Sequence, residues 1–110
     1  MSLDVTMEQH PGQTRVVLSG ELDIASTDGL EKQLAAIEVD PPATLVLDLR
    51  GVEFIDSTGL RSVVAADERA RSNGRRLAVV HSPNAVARLL TVTQLDQRLE
   101  IVDDPDALSA

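Results

Sequence analysis

The sequence predicts a single α/β domain with one mixed sheet, an N-terminal hairpin and helices largely on one side of the sheet. Two apolar stretches flank a Pro-Gly turn near the start of the chain, which is typical of a β-hairpin. Helical and strand periodicities then alternate, and strand–helix–strand units give parallel neighbours with right-handed crossovers. The 110 residues suit one domain. We expect its core over 3–103 and a short C-terminal helix over 104–109.

The predicted hairpin rests on alternation and on turn residues. Residues 3–9 alternate apolar and polar side chains, as a half-buried strand does, and Pro11-Gly12 is a turn. Residues 15–19 form the second strand, which ends in the run Gly20-Glu21-Leu22-Asp23.

A first helix follows this run and stops at Pro41-Pro42, because proline cannot continue a helix. Its candidate N-caps are the short polar residues Ser26, Thr27 and Asp28. Its apolar face consists of Leu30, Leu34 and Ile37.

The middle of the chain predicts a buried strand and a second helix. Residues 44–49 are apolar except for Asp48, which suits a strand that is covered on both faces. A turn at Arg50-Gly51 leads to a polar junction, Asp56-Ser57-Thr58-Gly59, where a helix begins. That helix ends near Ser72, because Asn73-Gly74 is a typical helix stop.

The last third repeats the alternation of strand and helix. Residues 77–80 form a strand, and Ser82-Pro83 places a cap residue before a proline at the first helical position. A final strand covers residues 99–102, and Asp104-Pro105 repeats the cap signal.

Composition limits the classes of partner. The net charge is −8, from 18 acidic and 10 basic residues, so the surface repels phosphate backbones and anionic lipid. We therefore expect neither nucleic acid nor a membrane as a partner. A basic protein patch fits the charge, although the charge also fits a role in solubility alone. The absence of cysteine, of a signal peptide and of a long apolar run predicts a cytoplasmic location.

No enzyme motif, metal site or cofactor site is predicted. His10 and His81 lie far apart and have no other ligand at metal-binding spacing. Asp48 follows an apolar run, as the phosphorylated aspartate of receiver domains does, but no acidic pair follows the first strand. The lysine of those domains is missing as well, since Lys32 precedes Asp48. We expect Asp48 to bond backbone donors at the end of a strand.

Ser57 has two interpretations from the residues alone. In Asp56-Ser57-Thr58-Gly59 it is either part of an ordinary helix cap or a modifiable hydroxyl that is presented to a partner. The stretch from Val46 to Leu60 resembles the signature of STAS domains and, more narrowly, of the anti-sigma factor antagonists of bacteria. The early Gly20-Glu21-Leu22-Asp23 run and the later pattern around Leu77 to Val80 resemble that family too.

The resemblance implies a regulatory switch. In this family the serine that matches Ser57 is phosphorylated by an anti-sigma factor that is also a serine kinase, and a PP2C-type phosphatase removes the phosphate. The unphosphorylated form binds the anti-sigma factor and frees a sigma factor. The residues implied to face the partner are Asp23, Asp56, Ser57, Thr58, Gly59 and Arg61. The resemblance also implies a monomer when the protein is free.

The sequence alone leaves several alternatives open. Asp56 either holds Ser57 in place or contacts the kinase directly. Arg61 stands where the family often has an apolar or small residue, so it is expected to affect the choice of partner. A STAS domain also serves as a non-phosphorylated interaction subunit in lipid-transport or stressosome-type complexes. A bound nucleotide is a further possibility that the sequence does not decide.

Overall fold

Five strands form one sheet in the computed structural model, which describes residues 3–108. They are β1 (Leu3–His10), β2 (Gln13–Leu22), β3 (Thr44–Ile55), β4 (Arg76–Val80) and β5 (Glu100–Ile101), adjacent in that order. Three α-helices connect the strands: α1 (Thr27–Val39), α2 (Ser57–Ser72) and α3 (Ala85–Val92). Short 3₁₀ helices at Leu95–Gln97 and Pro105–Leu108 flank β5. The predicted α/β order is confirmed.

The N-terminal hairpin is antiparallel and the rest of the sheet is parallel, as predicted. His10 pairs with Gln13 across the turn, and Gly12 adopts a φ of +78°, a conformation that favours glycine. β1 is the edge strand of the sheet. Its side chains at Leu3 and Val5 pack against the core, but Met7 on the same face is 47% exposed. The predicted apolar face of β1 is therefore only partly covered.

The core lies between one face of the sheet and all three helices. Alternate residues of β3 (Leu45, Leu47 and Leu49) are buried in it with apolar side chains from α1, α2 and α3. The C-terminal segment covers part of the other face: the Gln13 side chain donates to the Pro105 carbonyl at 2.9 Å, and Arg15 pairs with Asp106. The prediction of helices largely on one side is confirmed.

β3 extends six residues beyond the predicted strand, so the predicted turn at Arg50-Gly51 is wrong. The strand stays paired with β2 as far as Leu22 opposite Ile55. β3 absorbs extra residues at two register shifts, one before Gly51 and one before Phe54. This extension carries the polar junction to the end of β2.

Helix ends differ from the predictions in detail. The cap of α3 is Asn84, whose side chain accepts from Val86 N at 2.9 Å, and not the predicted Ser82. Asn73 and Gly74 end α2 as predicted, with Gly74 at a φ of +68°. The final strand is only two residues long. The C-terminal helix over 104–109 is a 3₁₀ turn, Pro105–Leu108, and residue 109 lies outside the described residues.

Candidate functional site

Ser57 is the first residue of α2 and lies at the end of the sheet where strands β2 and β3 have their carboxyl ends. The helix cap is its neighbour Asp56, whose Oδ1 accepts from Gly59 N at 2.8 Å. Ser57 is exposed, and no group within residues 3–108 hydrogen-bonds its hydroxyl. The interpretation of Ser57 as the capping residue is therefore wrong, and its hydroxyl is chemically free.

Asp56 also connects α2 to the loop between β2 and α1. Its Oδ2 accepts from Ile24 N at 3.0 Å, and its own backbone N–H donates to the Leu22 carbonyl at 3.2 Å. One carboxylate thus fixes two segments, and both of its oxygens are bonded to backbone N–H groups. This geometry gives Asp56 a structural role in positioning Ser57.

The loop after β2 is ordered by Asp23. Its Oδ1 accepts from the backbone N–H groups of Ala25 and Ser26, each at 3.1 Å. The Ser26 hydroxyl donates to the Glu21 carbonyl at 2.8 Å instead of capping α1. Asp23 is therefore half-buried in a rigid turn, and the Ile24–Asp56 hydrogen bond brings this turn to the start of α2.

Gly59 allows α2 to approach the end of β2. It is buried, and a Cβ built at this position would lie 2.3 Å from the Leu22 carbonyl oxygen and 2.8 Å from Leu22 Cγ. The backbone that comes close to Gly59 is therefore that of Leu22 in the same chain. Gly59 thus supports the site from within the fold.

Thr58 and Arg61 complete the predicted set. Thr58 is half-buried, whereas Arg61 is exposed. Arg61 follows Ser57 by four residues, so both lie on the same face of α2. Within residues 3–108, Arg61 has neither an ion pair nor a hydrogen bond from its side chain.

Two exposed apolar side chains beside Ser57 were missed by the sequence analysis. Ile24 is 73% exposed next to the Asp56 hydrogen bond, and Phe54 is 48% exposed two residues before Asp56. Phe54 borders a groove of about 340 Å³, which is lined mostly by apolar side chains: Phe54, Ile55, Ala85, Arg88, Leu89 and Val92. The available signal was an isoleucine within an otherwise polar loop.

The other candidate residues lie away from the start of α2. Asp48 is buried and bonded to Arg50, with Nε–Oδ1 at 2.9 Å. Burial opposes ionisation of Asp48, but the hydrogen bonds and charge of Arg50 hold its pKa below the ordinary value. Asp48 does accept one backbone N–H, from Arg50, but it lies within β3 and not at its end. His10 pairs with Glu8 at 2.9 Å.

Two further kinds of feature are absent from residues 3–108. Residues 3–108 contain no group of three or more His, Cys, Asp or Glu side chains that is arranged to hold a metal ion. Over the same residues, no helix has the length and hydrophobicity needed to cross a membrane.

Comparison with known proteins identifies the family. Residues 5–103 match the family model described as "Mlab, STAS domain". The anti-sigma F factor antagonist of Paenibacillus polymyxa is 33% identical over 105 residues, which cover 94% of this chain and 90% of that protein. The anti-sigma-F factor antagonist RsfB of Mycobacterium tuberculosis is 29% identical over 100 residues, 91% of this chain and 81% of RsfB.

A solved structure agrees. The crystal structure of an anti-sigma factor antagonist from Mycobacterium paratuberculosis superimposes with a TM-score of 0.89 at 32% identity, covering 96% of this chain and 90% of that one. The resemblance found in the sequence is thereby confirmed. The chain belongs to the STAS-domain family of anti-sigma factor antagonists, which are regulatory proteins and not enzymes.

Proposed function

We propose that the unphosphorylated chain binds an anti-sigma factor that is also a serine kinase, and thereby frees a sigma factor for transcription. Phosphorylation of Ser57 ends this binding, and a PP2C-type phosphatase restores it. The observation that carries the proposal is the exposed Ser57 hydroxyl, which has no hydrogen bond within residues 3–108 and stands on a rigid helix start. On this proposal the chain acts in the cytoplasm as a monomer when free.

The fold around Ser57 can accept a phosphate without unfolding. Ser57 is the first residue of a 16-residue helix, where the helix dipole favours negative charge. The cap bond belongs to Asp56, so modification of Ser57 removes no hydrogen bond of the helix. Phosphorylation therefore changes the surface and leaves the architecture in place.

The proposed contact surface, called here the Ser57 face, contains exposed apolar side chains as well as charged residues. Its residues are Asp23, Ile24, Phe54, Asp56, Ser57, Thr58 and Arg61. Exposed aromatic and aliphatic side chains of this kind supply most of the affinity at protein interfaces. The backbone at Gly59 shapes this surface from below.

A phosphate at Ser57 weakens binding through desolvation and charge. It adds about −1.5 to −2 charges beside Asp56 and next to the apolar side chains of Ile24 and Phe54. A partner surface that fits a neutral hydroxyl then has to bury a charge without a partner group, which is costly. We therefore expect a loss of affinity with little change in fold.

A phosphorylation assay tests the proposal. The chain is incubated with ATP and each candidate anti-sigma kinase from the same genome, and the modified residue is mapped by mass spectrometry. We expect phosphate on Ser57, none on Ser57→Ala, and unchanged phosphorylation of the matched control Ser72→Ala, an exposed serine at the other end of α2. Modification of the Ser57→Ala variant at full rate would contradict the proposal.

A non-phosphorylated interaction subunit, of a lipid-transport or stressosome-type complex, is the second candidate. The observation in its favour is the exposed apolar pair Ile24 and Phe54, which can bind a partner whether or not Ser57 is modified. The two functions predict different outcomes. Phospho-Ser57 abolishes capture of the partner in the first, whereas Ser57→Ala leaves both binding and regulation unchanged in the second.

A further inference from the structure

Arg61 is a free cation one helical turn after the proposed phosphorylation site. Residues i and i+4 of an α-helix have Cβ atoms about 5–6 Å apart, and side chains lean toward the helix N-terminus. Arg61 therefore leans toward Ser57, and both residues are exposed. An acidic group placed N-terminal to a basic group at this spacing is the favoured orientation of an ion pair.

Nothing on α2 competes for the Arg61 guanidinium. Its other neighbours at helical spacing are Thr58, Val64 and Ala65, none of which carries charge. Asp56 is the nearest acidic residue in sequence, but its two oxygens are already bonded to backbone N–H groups. Arg61 has no ion pair within residues 3–108, although the chain carries a net charge of −8.

Six other arginines have an acidic partner within residues 3–108, whereas Arg75 and Arg88, which lie outside α2, have none there. Arg50 is bonded to Asp48, and Arg69 is bonded to Glu38 with Nε–Oε1 at 2.9 Å. These guanidinium groups are therefore already paired with carboxylates of the chain. The five N–H donors of Arg61 have no hydrogen-bond partner within residues 3–108.

We propose that Arg61 is the intramolecular counter-ion of phospho-Ser57, a role that rests on the proposed phosphorylation. The guanidinium fork matches two phosphate oxygens and offsets the repulsion between the phosphate and Asp56. Phosphorylation then does two things at the Ser57 face: it adds the phosphate, and it withdraws Arg61 from any partner. Arg61 is thus available to a partner when Ser57 is unmodified and is bound to the phosphate when Ser57 is phosphorylated.

The test uses full-length chain that carries phosphoserine at position 57, introduced during translation so that no kinase is needed. The second pKa of the phosphate is measured by ³¹P NMR titration in low salt for the wild type, Arg61→Gln and the control Arg98→Gln. Arg98 loses the same charge but lies beside Glu68, toward the other end of α2. Circular dichroism confirms that each variant is folded.

We expect the phosphate pKa of Arg61→Gln to be about 0.3–0.6 unit higher than that of the wild type, because the arginine favours the dianion. The Arg98→Gln value should match the wild type within about 0.1 unit at this distance. Equal values for Arg61→Gln and the wild type would overturn the proposal, as would an equal shift in Arg98→Gln. A chain that no kinase phosphorylates would instead defeat the proposed function, and this titration would still give its answer.

Discussion

The two ends of α2 hold their charged groups in different ways. At the start, the carboxylate of Asp56 is bonded to backbone N–H groups, and Arg61 has no acidic partner within residues 3–108. Toward the end, arginines pair with carboxylates: Arg69 with Glu38, Arg71 with Asp67 at 3.0 Å and Arg98 with Glu68 at 3.3 Å. The end of the helix is therefore neutralised within the chain.

This difference supports the proposal that a partner binds at the start of α2. Paired side chains satisfy one another and change little when a second protein approaches. Backbone-bonded carboxylates are fixed in place, and the apolar side chains of Ile24 and Phe54 are exposed on segments that meet at Asp56. Charge and apolar area are thus both presented at the start of α2, which supports the Ser57 face as the contact surface.

Gly59→Ala should produce the largest effect, because it acts on the packing that sets the start of α2. The added Cβ would meet the Leu22 carbonyl oxygen at 2.3 Å, so backbone has to move. We expect a loss of roughly 3 kcal/mol in the free energy of unfolding, measured by urea denaturation.

Gly29→Ala is the matched control for this substitution. Gly29 lies in the first turn of α1, and nothing lies within 4 Å of a Cβ at that position. Alanine there should be neutral or should stabilise the protein by up to about 1 kcal/mol. Equal losses for the two variants would mean that the contact between Gly59 and Leu22 does not decide the packing.

Asp56→Ala should have the next largest effect, because it removes the cap of α2 and the bond to Ile24. We expect a loss of about 1–2 kcal/mol in the free energy of unfolding. Asp56→Asn keeps an oxygen that can accept from Gly59 N and should lose less than half as much. The measurement is chemical denaturation at neutral pH.

Ser57→Ala is the control for the cap. The Ser57 hydroxyl has no hydrogen bond within residues 3–108, so its removal should change stability by less than about 0.5 kcal/mol. A loss as large as that of Asp56→Ala would show that the serine has a structural bond. The start of α2 would then be stabilised by Ser57 as well as by Asp56.

Much of the fold could be predicted because its signals are local. The Pro11-Gly12 turn, the Asn73-Gly74 stop and the buried run over 44–49 each act within a few residues. The continuation of β3 through Arg50 and Gly51 could not be predicted, because polar and glycine residues there indicate a turn. Pairing with the whole length of β2 overrides that local preference.

The sequence predicted which residues form the site, but it did not predict what each of them does. The resemblance identified Ser57, and the sequence left the choice of capping residue open. Asp56 also accepts a hydrogen bond from Ile24 N, 32 residues away, and no local pattern contains that contact. The exposure of Ile24 likewise depends on where the β2–α1 loop lies in the fold.

Arg76→Gln should have the smallest effect and tests the paired region beyond the end of α2. Arg76 Nε lies 2.9 Å from Glu100 Oε1 on the neighbouring strand. The hydrogen bonds from Arg76 lower the pKa of Glu100 below its ordinary value of 4.5. A lowered carboxylate pKa means that the pair stabilises the fold above that value and that this contribution is lost as the pH falls through the folded-state pKa.

The difference in melting temperature between the wild type and Arg76→Gln should therefore be present at pH 7 and vanish in acid, once Glu100 is protonated. Since Arg76 is exposed, the difference should be small and should shrink further in high salt. Glu100→Gln and the double variant complete a cycle that isolates the pair. A difference that persists unchanged at low pH would show that Arg76 acts through packing and not through its charge pair with Glu100.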